Sequence, residues 1–232
     1  VQLQAWQDLV RVLTHEIMNS ITPVASLAET AVDLVDDARR KVADHPEVVE
    51  ELADVKSAVD TVARRSEGLL HFVQGYRQLT RLPAPNRQLL AIADLFAGTV
   101  KLVSKGWTEK SIALSVIVEP ASLRIEADAE MLEQVLLNLL QNAEQALVGV
   151  VDPSVVLSAA IDPNGHVYIE VSDNGPGVEP EIASRIFVPF FTTKREGSGV
   201  GLALTRQVML AHGGSVALGE SVNGGAKFTL TF

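Results

Sequence analysis

The run Val167-Tyr-Ile-Glu-Val-Ser-Asp-Asn-Gly-Pro-Gly177 and, twenty residues on, Gly197-Ser-Gly-Val-Gly-Leu202 decide how the larger part of this chain folds. In the first, Val167, Ile169 and Val171 alternate, the period of a strand with one buried face, and Asp173 stands where that strand ends. Asn-Gly and Pro-Gly are ordinary turn dipeptides. The same residues also suit a strand-end carboxylate held for recognition, with glycines that let a ligand approach the backbone. The second run opens an apolar helical stretch, and glycines at a helix start expose backbone N–H groups and the positive dipole end to phosphate. Between them, residues 178–197 mix polarities and contain Phe187-Val-Pro-Phe-Phe-Thr-Thr-Lys-Arg195. A loop this long inside a compact domain is a functional lid or is disordered.

Outward from that stretch, residues 81–232 alternate between two periods. Strand-like runs cover 111–118, 123–127, 155–161, 167–172, 215–219 and 226–232, and helical runs cover 92–105, 129–148 and 200–212. Pro163-Asn-Gly165 and Asn223-Gly-Gly225 mark hairpin turns. With antiparallel hairpins among the strands, the expectation is an α/β sandwich with helices on one face of the sheet.

Residues 1–80 read differently. Leu3, Val10, Ile17, Val24 and Ala31 repeat every seven residues, and Trp6, Leu13, Ser20, Leu27 and Leu34 form a second series offset by three. A further seam runs through Val48, Leu52, Val55, Val59, Val62, Ser66, Leu69, Val73 and Tyr76, with Lys41-Val-Ala-Asp-His-Pro46 as the turn between. Two such helices cannot bury their seams alone, so two copies are expected to form a four-helix bundle. With the turn near residue 43, Ser20 and Ser66 would share a layer. The prolines of Arg81-Leu-Pro-Ala-Pro-Asn-Arg87 cannot continue a helix. The fold class is therefore α+β: a hairpin over 1–80, a linker over 81–88 and a sandwich domain over 89–232.

Composition narrows the function. The 232 residues are 47% hydrophobic and carry 29 acidic against 19 basic side chains, a formal charge of −10. That balance argues against nucleic-acid partners, whose phosphates demand cations. The lack of cysteine excludes disulfides, thiolate metal sites and a Cys nucleophile. No apolar run approaches the ~20 residues of a membrane span, so no membrane contact is expected from this segment. There is neither a GxxxxGK[ST] loop nor a GxGxxG turn.

Two further segments hold chemistry. In His15-Glu-Ile-Met-Asn-Ser-Ile-Thr-Pro23 the heptad frame turns His15 away from the bundle core, with Glu16 beside it and Asn19 one turn on. A metalloprotease HExxH is excluded because position 19 is Asn. A plain solvated face and an exposed imidazole that accepts a phosphoryl group both fit. On the helical run 129–148, Asn138 and Asn142 are i,i+4 among leucines. They either bond each other and the sheet or present carbonyl oxygens to a hard cation such as Mg²⁺.

Taken in order, these segments resemble the cytoplasmic core of a two-component sensor histidine kinase. His15–Pro23 is similar to the H box, Asn138-Leu-Leu-Gln-Asn-Ala143 to the N box and Asp173-Asn-Gly-Pro-Gly177 to the G1 box. Phe187-Val-Pro-Phe-Phe191 is similar to the F box and Gly197-Ser-Gly-Val-Gly-Leu202 to the G2 box. The H box and the Phe-Phe-Thr-Thr-Lys run are most similar to the nitrogen-regulation type.

The resemblance implies a dimerisation and phosphotransfer hairpin followed by an ATP-binding domain of the Bergerat (GHKL) fold. It implies that Asp173 accepts a hydrogen bond from the adenine amine, with a water bridging to Gly177. Asn142 would ligate Mg²⁺ on the ATP triphosphate, and Asn138 would face the same shell. Lys194 would reach the terminal phosphates, while Gly199 and Gly201 donate backbone N–H groups. Gly175, Thr193, Gly197 and Leu202 would complete the nucleotide contacts. His15 would attack the γ-phosphate, Glu16 would hold its other ring nitrogen, and a response regulator's receiver aspartate would take the phosphoryl group. Glu16 and Asn19 also match the family's Glu-x-x-Asn pattern of regulator phosphatases, in which Asn19 orients water.

Two departures stand out. Relatives of this type carry Pro where this chain has Ser20, so any kink there falls to Pro23 alone. Position 145 is Gln where a basic residue often meets phosphate, which shifts charge neutralisation to Mg²⁺, Lys194 and Arg195. The rival readings are a clamp-type ATPase of the same fold, which needs a Glu where Asn138 stands, and a degenerate non-catalytic scaffold. The seam is already running at Leu3, so sequence upstream is expected, with a sensor domain and any membrane anchor; this segment is expected to be cytoplasmic.

Overall fold

The computed structural model describes residues 2–80, 82–194 and 197–232; for residues 2–15, 71, 78 and 80 it describes the backbone only. The chain divides into two units, Val1–Arg81 with Lys194–Ser198, and Leu82–Thr193 with Gly199–Phe232.

The first unit is an antiparallel pair of long helices, α1 (Gln2–Lys41) and α2 (Pro46–Thr80). Arg39, Arg40 and Lys41 close α1 against the negative end of its dipole, while Pro46 and Glu47 open α2. Helix α1 runs on through Pro23, which has no N–H to give the Asn19 carbonyl. Beside that gap the Ser20 and Thr22 hydroxyls donate to the carbonyls of Glu16 and Met18, both at 2.8 Å.

The seams divide between two faces. Met18, Ile21, Ala25, Ala28, Val32 and Val35 are buried or half-buried, as are Leu52, Val59, Ser66 and Val73 on α2. By contrast Ile17, Val24, Leu27 (69% exposed) and Leu34 (63%) on α1, and Val48, Val55, Val62 and Leu69 on α2, form outward stripes. An apolar band wider than one a/d seam has two sides, and α2 occupies only one of them. Ser20 lies on the outward side and Ser66 on the inner, so within one hairpin the two seam breaks do not face each other. Near the turn, Lys56 Nζ bridges the helices by donating to both oxygens of Asp36, at 2.8 and 2.6 Å. That ammonium holds the Asp36 carboxyl below its ordinary range.

The second unit begins at β1 (Gln88–Ala91), which pairs antiparallel with β3 (Arg124–Ala127). Strand β1 starts inside the stretch read as linker: it has no period of its own and owes its form to β3. The remaining strands are β2 (Ala113–Val118), β4 (Ser154–Ile161), β5 (Val167–Asp173), β6 (Ser215–Glu220) and β7 (Ala226–Thr231). They form one sheet in the order β2-β4-β5-β7-β6, with only β2 and β4 parallel. Strand β2 begins two residues later than read because Ser111 takes a left-handed φ of 55°.

Helices α3 (Ile92–Glu109), α4 (Ala129–Ala146) and α6 (Gly201–Ala211) pack together with the sheet, and a single turn, α5 (Pro180–Ala183), lies within the long loop. Alternation selects the inner face: Val155, Leu157 and Ala159 of β4 stand with Ile169, Val171 and Asp173 of β5 and Ala226, Phe228 and Leu230 of β7, all buried. In register, Leu157 pairs with Val171, Val171 with Phe228, and Val155 with Asp173. Helix α3 outruns its sequence pattern because Trp107 is buried and donates Nε1–H to Glu144 of α4 at 3.1 Å. Leu132, Leu136, Leu139 and Leu140 of α4 are the centre of the core. Leu140→Ala, at a fully buried position, is expected to lower the sandwich's unfolding free energy by about 2–5 kcal/mol in urea titration.

Candidate functional site

Strand β5 ends on its inner face with a carboxylate. Asp173 is 5% exposed, and its Oδ1 accepts the backbone N–H groups of Gly175 at 2.9 Å and Ala226 at 3.2 Å. Burial pushes this carboxyl above its ordinary value, and those two hydrogen bonds restrain the rise. Among the described residues Oδ2 has no hydrogen-bond partner. Glycines make the cradle. A Cβ on Gly225 would collide with the Asp173 carbonyl and Oδ1, and one on Gly175 would lie 2.9 Å from Oδ1 and 3.2 Å from the Ala146 carbonyl. Asn174 pins the turn from outside, accepting from Ser154 N at 2.7 Å and donating to Asp152 O at 2.9 Å.

The contact of Gly175 with Ala146 brings α4 to the site. Asn138, Asn142 and Ala146 are spaced i, i+4, i+8 and share one face of α4. At its far end Asn138 Nδ2 donates to the Gly201 carbonyl in the first turn of α6, at 3.4 Å, and Gln134 donates to Asn138 Oδ1 at 3.4 Å. One helix face of roughly 12 Å, eight residues at 1.5 Å each, thus runs from the buried carboxylate to a glycine-rich helix start. Asn142 is at its middle, half-buried.

The loop before α6 is closed at its root. Phe190 N–H donates to Gly199 O at 2.8 Å, and both residues have left-handed φ, 66° and 65°. A Cβ on Gly199 would lie 2.5 Å from the Phe190 carbonyl carbon, so only glycine fits. Phe187 packs edge-on against Phe228 of β7, with centroids 6.4 Å apart, and the Arg185 guanidinium stacks over Phe191.

Of the residues singled out from sequence, Asn138, Asn142, Asp173, Gly175, Gly177, Gly199, Gly201 and Leu202 come together in the sandwich unit, as does the exposed Thr193 at the loop. Lys194 and Gly197 fall in the other unit. Glu16 and Asn19 are exposed on α1; the His15 side chain and Arg195 lie outside the described residues. Sequence reasoning missed the Ala226 N–H and Gly225, because Asn223-Gly-Gly225 read only as a hairpin turn.

Residues 127–232 match the family model described as histidine kinase-, DNA gyrase B- and HSP90-like ATPase. The sensor histidine kinase ZraS of Klebsiella oxytoca is 31% identical over 98% of this chain, which spans 46% of that protein. The nitrogen regulation protein NtrY of Azorhizobium caulinodans is 29% identical over 98% of the chain, which spans 28% of it. Among solved structures, full-length ShkA in complex with AMPPNP aligns with 97% of this chain and 45% of its own, at 26% identity and TM-score 0.66. The catalytic domain of histidine kinase ThkA aligns over 63% and 95%, at 28% identity and TM-score 0.58. A helical hairpin followed by an ATP-binding α/β sandwich is the fold these comparisons support.

Asp173→Asn tests the carboxylate. The raised pKa means that folding loses stability as pH climbs from the ordinary carboxylate value through the raised one, with the full cost present once pH is above it. The amide keeps both backbone bonds without that cost, so the nucleotide-free variant should melt no lower than wild type at pH 7. Its affinity for an ATP analogue should fall tenfold or more by calorimetry, since hydrogen bonds to a charged group are worth about 1.5–3 kcal/mol. Gly225→Ala should lose binding likewise.

Proposed function

We propose that this chain, whose residues 127–232 are an ATP-binding domain of the histidine kinase-, DNA gyrase B- and HSP90-like family and which is similar to sensor histidine kinases over 98% of its residues, is the catalytic core of such a kinase. It would transfer the γ-phosphoryl group of ATP to His15 and pass it to an aspartate of a response regulator's receiver domain. The observation that carries the reading is the α4 face that joins the buried carboxylate to the glycine-rich start of α6. Adenine would lie at Asp173, whose Oδ2 is open to an exocyclic amine, with Gly175 and Gly177 at the base. The phosphates would lie toward Gly199, Gly201 and Leu202, with Thr193, Lys194 and Gly197 from the loop.

The donor set fits Mg²⁺. Among the described residues no group of three or more His, Cys, Asp or Glu could hold a metal. A cation here would therefore take most of its ligands from phosphate and water with one or two side-chain oxygens, the usual habit of Mg²⁺. Asn142 would supply one, and Asn138 would face the same shell. Bound there, the ion would neutralise phosphate charge, which an acidic protein supplies poorly. The His15 imidazole would form the N–P bond as the bond from γ-phosphorus to the ADP oxygen breaks. Glu16 would hold the second ring N–H and take up the growing positive charge.

Two copies would associate through the outward stripes, burying Leu27, Leu34, Val55 and Val62 in a four-helix bundle. Glu16 and Asn19 would also support dephosphorylation of the regulator, with Asn19 orienting water. The hairpin and sandwich would be separate domains, over 1–80 and 89–232, joined by the linker. Among the described residues no helix is long and apolar enough to cross a membrane, and this part would work in the cytoplasm, where ATP and regulator are. A clamp-type hydrolase reading is weaker, because the residue four before Asn142 is Asn138, an amide committed to Gly201 rather than a general base.

Incubation with γ-labelled ATP and Mg²⁺ tests this. Wild type should take up acid-labile, base-stable label and His15→Gln none; label kept by the variant would sink the assignment, and nucleotide binding without any label would favour a scaffold. Replacing Leu27 and Leu34 together by Asp should convert a dimer to a monomer by light scattering.

A further inference from the structure

The end of the linker is tied into the sandwich by a set of polar contacts remote from the nucleotide face. Asn86 N–H donates to Asp128 Oδ2 at 2.8 Å, while Asp128 Oδ1 caps α4 by accepting Met131 N–H at 3.1 Å. Burial alone would raise the Asp128 carboxyl, but these backbone donors outweigh it and hold it below its ordinary range. The backbone N–H of Asp128 donates to His212 Nε2 at 3.0 Å. An N–H can only donate, so Nε2 is the acceptor; the ring proton is then on Nδ1, which donates to Val208 O at 2.8 Å. Arg87 completes the set by donating to Ala211 O at 2.8 Å, at the last turn of α6, where a cation also meets the negative dipole end.

Both ends of α6 are thus joined to α4, one at the middle of α4 and one at its N-cap. Asn138 meets Gly201 at the site, and Asp128 meets His212 at the other end, ten residues back along α4 and eleven forward along α6. The linker fastens at that second junction. We propose that Arg87, Asp128 and His212 are a linker latch: positioning residues that fix where the tether from the hairpin leaves the ATP-binding domain, and so orient nucleotide and phosphoacceptor for transfer. With Asn86 held, the tether is short, and Pro83 and Pro85 stiffen it. A short stiff tether preserves orientation as well as nearness, and transfer depends on both. Nucleotide affinity depends on the junction at Asn138 and Gly201, at the start of α6, and is left alone. This inference rests on the kinase reading given above.

Asp128→Asn separates the roles. The amide oxygen still caps α4, since Asn is as good an N-cap as Asp, but the amide nitrogen then confronts Asn86 N–H, donor against donor. Arg87→Ala, at an exposed side chain, removes the second tie. In the intact chain both variants should bind an ATP analogue within about twofold of wild type while labelling of His15 slows roughly three- to tenfold; Arg87→Lys should restore most of the rate. Amide exchange at Asn86, slow in wild type, should quicken about fivefold or more in Asp128→Asn, the factor one lost hydrogen bond supplies. Unprotected Asn86 in wild type, variants that label at wild-type rate, or equal loss of binding and labelling would each overturn the latch. A wild-type chain that binds nucleotide but leaves His15 unlabelled overturns the kinase reading itself, and the transfer role with it.

Discussion

A carboxylate buried at the end of a strand must find donors or give up its charge. Asp173 finds two backbone N–H groups, one from its own turn at Gly175 and one from β7 at Ala226. That requirement joins three parts of the molecule. The β7 hairpin must bring residue 226 alongside, residue 225 must lack a side chain, and the turn after β5 must fold back over the C-terminal end of α4. The two donors share one oxygen and leave the other for a ligand. Gly175 and Gly225 are therefore dictated by the space around one charged group.

Helix α4 carries that arrangement across the domain. Its leucines bury it against the core, while Asn138, Asn142 and Ala146 recur on the face turned to the site. The helix acts as a ruler, and the distance it spans separates the buried carboxylate from the glycine-rich start of α6. Its N-terminal end, where Asp128 both caps the helix and meets the linker, extends the same element to the boundary of the domain.

Much of the sandwich was readable because its elements have clean periods. Strands β4, β5 and β7 and helices α4 and α6 all emerge within a few residues of their sequence patterns. Elements without a period were not readable. Strand β1 exists through its pairing with β3, and α3 runs past Gly106 because Trp107 is buried and bonded to α4. The hairpin shows a subtler limit. Its heptads are apolar series, yet the residue-by-residue pattern does not say which side the neighbouring helix takes. Met18 and Ala28 turn inward while Ile17 and Leu27, one residue earlier, turn out.

The amino-acid sequence alone determined the α+β class, the order of the five motifs, and the residue types able to recognise a nucleotide, since these depend on local periodicity and side-chain chemistry. Tertiary structure decided which backbone groups hold Asp173, how Asn138 meets Gly201, and where the linker fastens. The contacts of Asp173 with Ala226, Asn138 with Gly201, Asp128 with His212, and the linker residues Asn86 and Arg87 with Asp128 and Ala211 join residues 42 to 124 positions apart. No local period encodes such a pairing. It exists only once the strands have registered and the helices have packed.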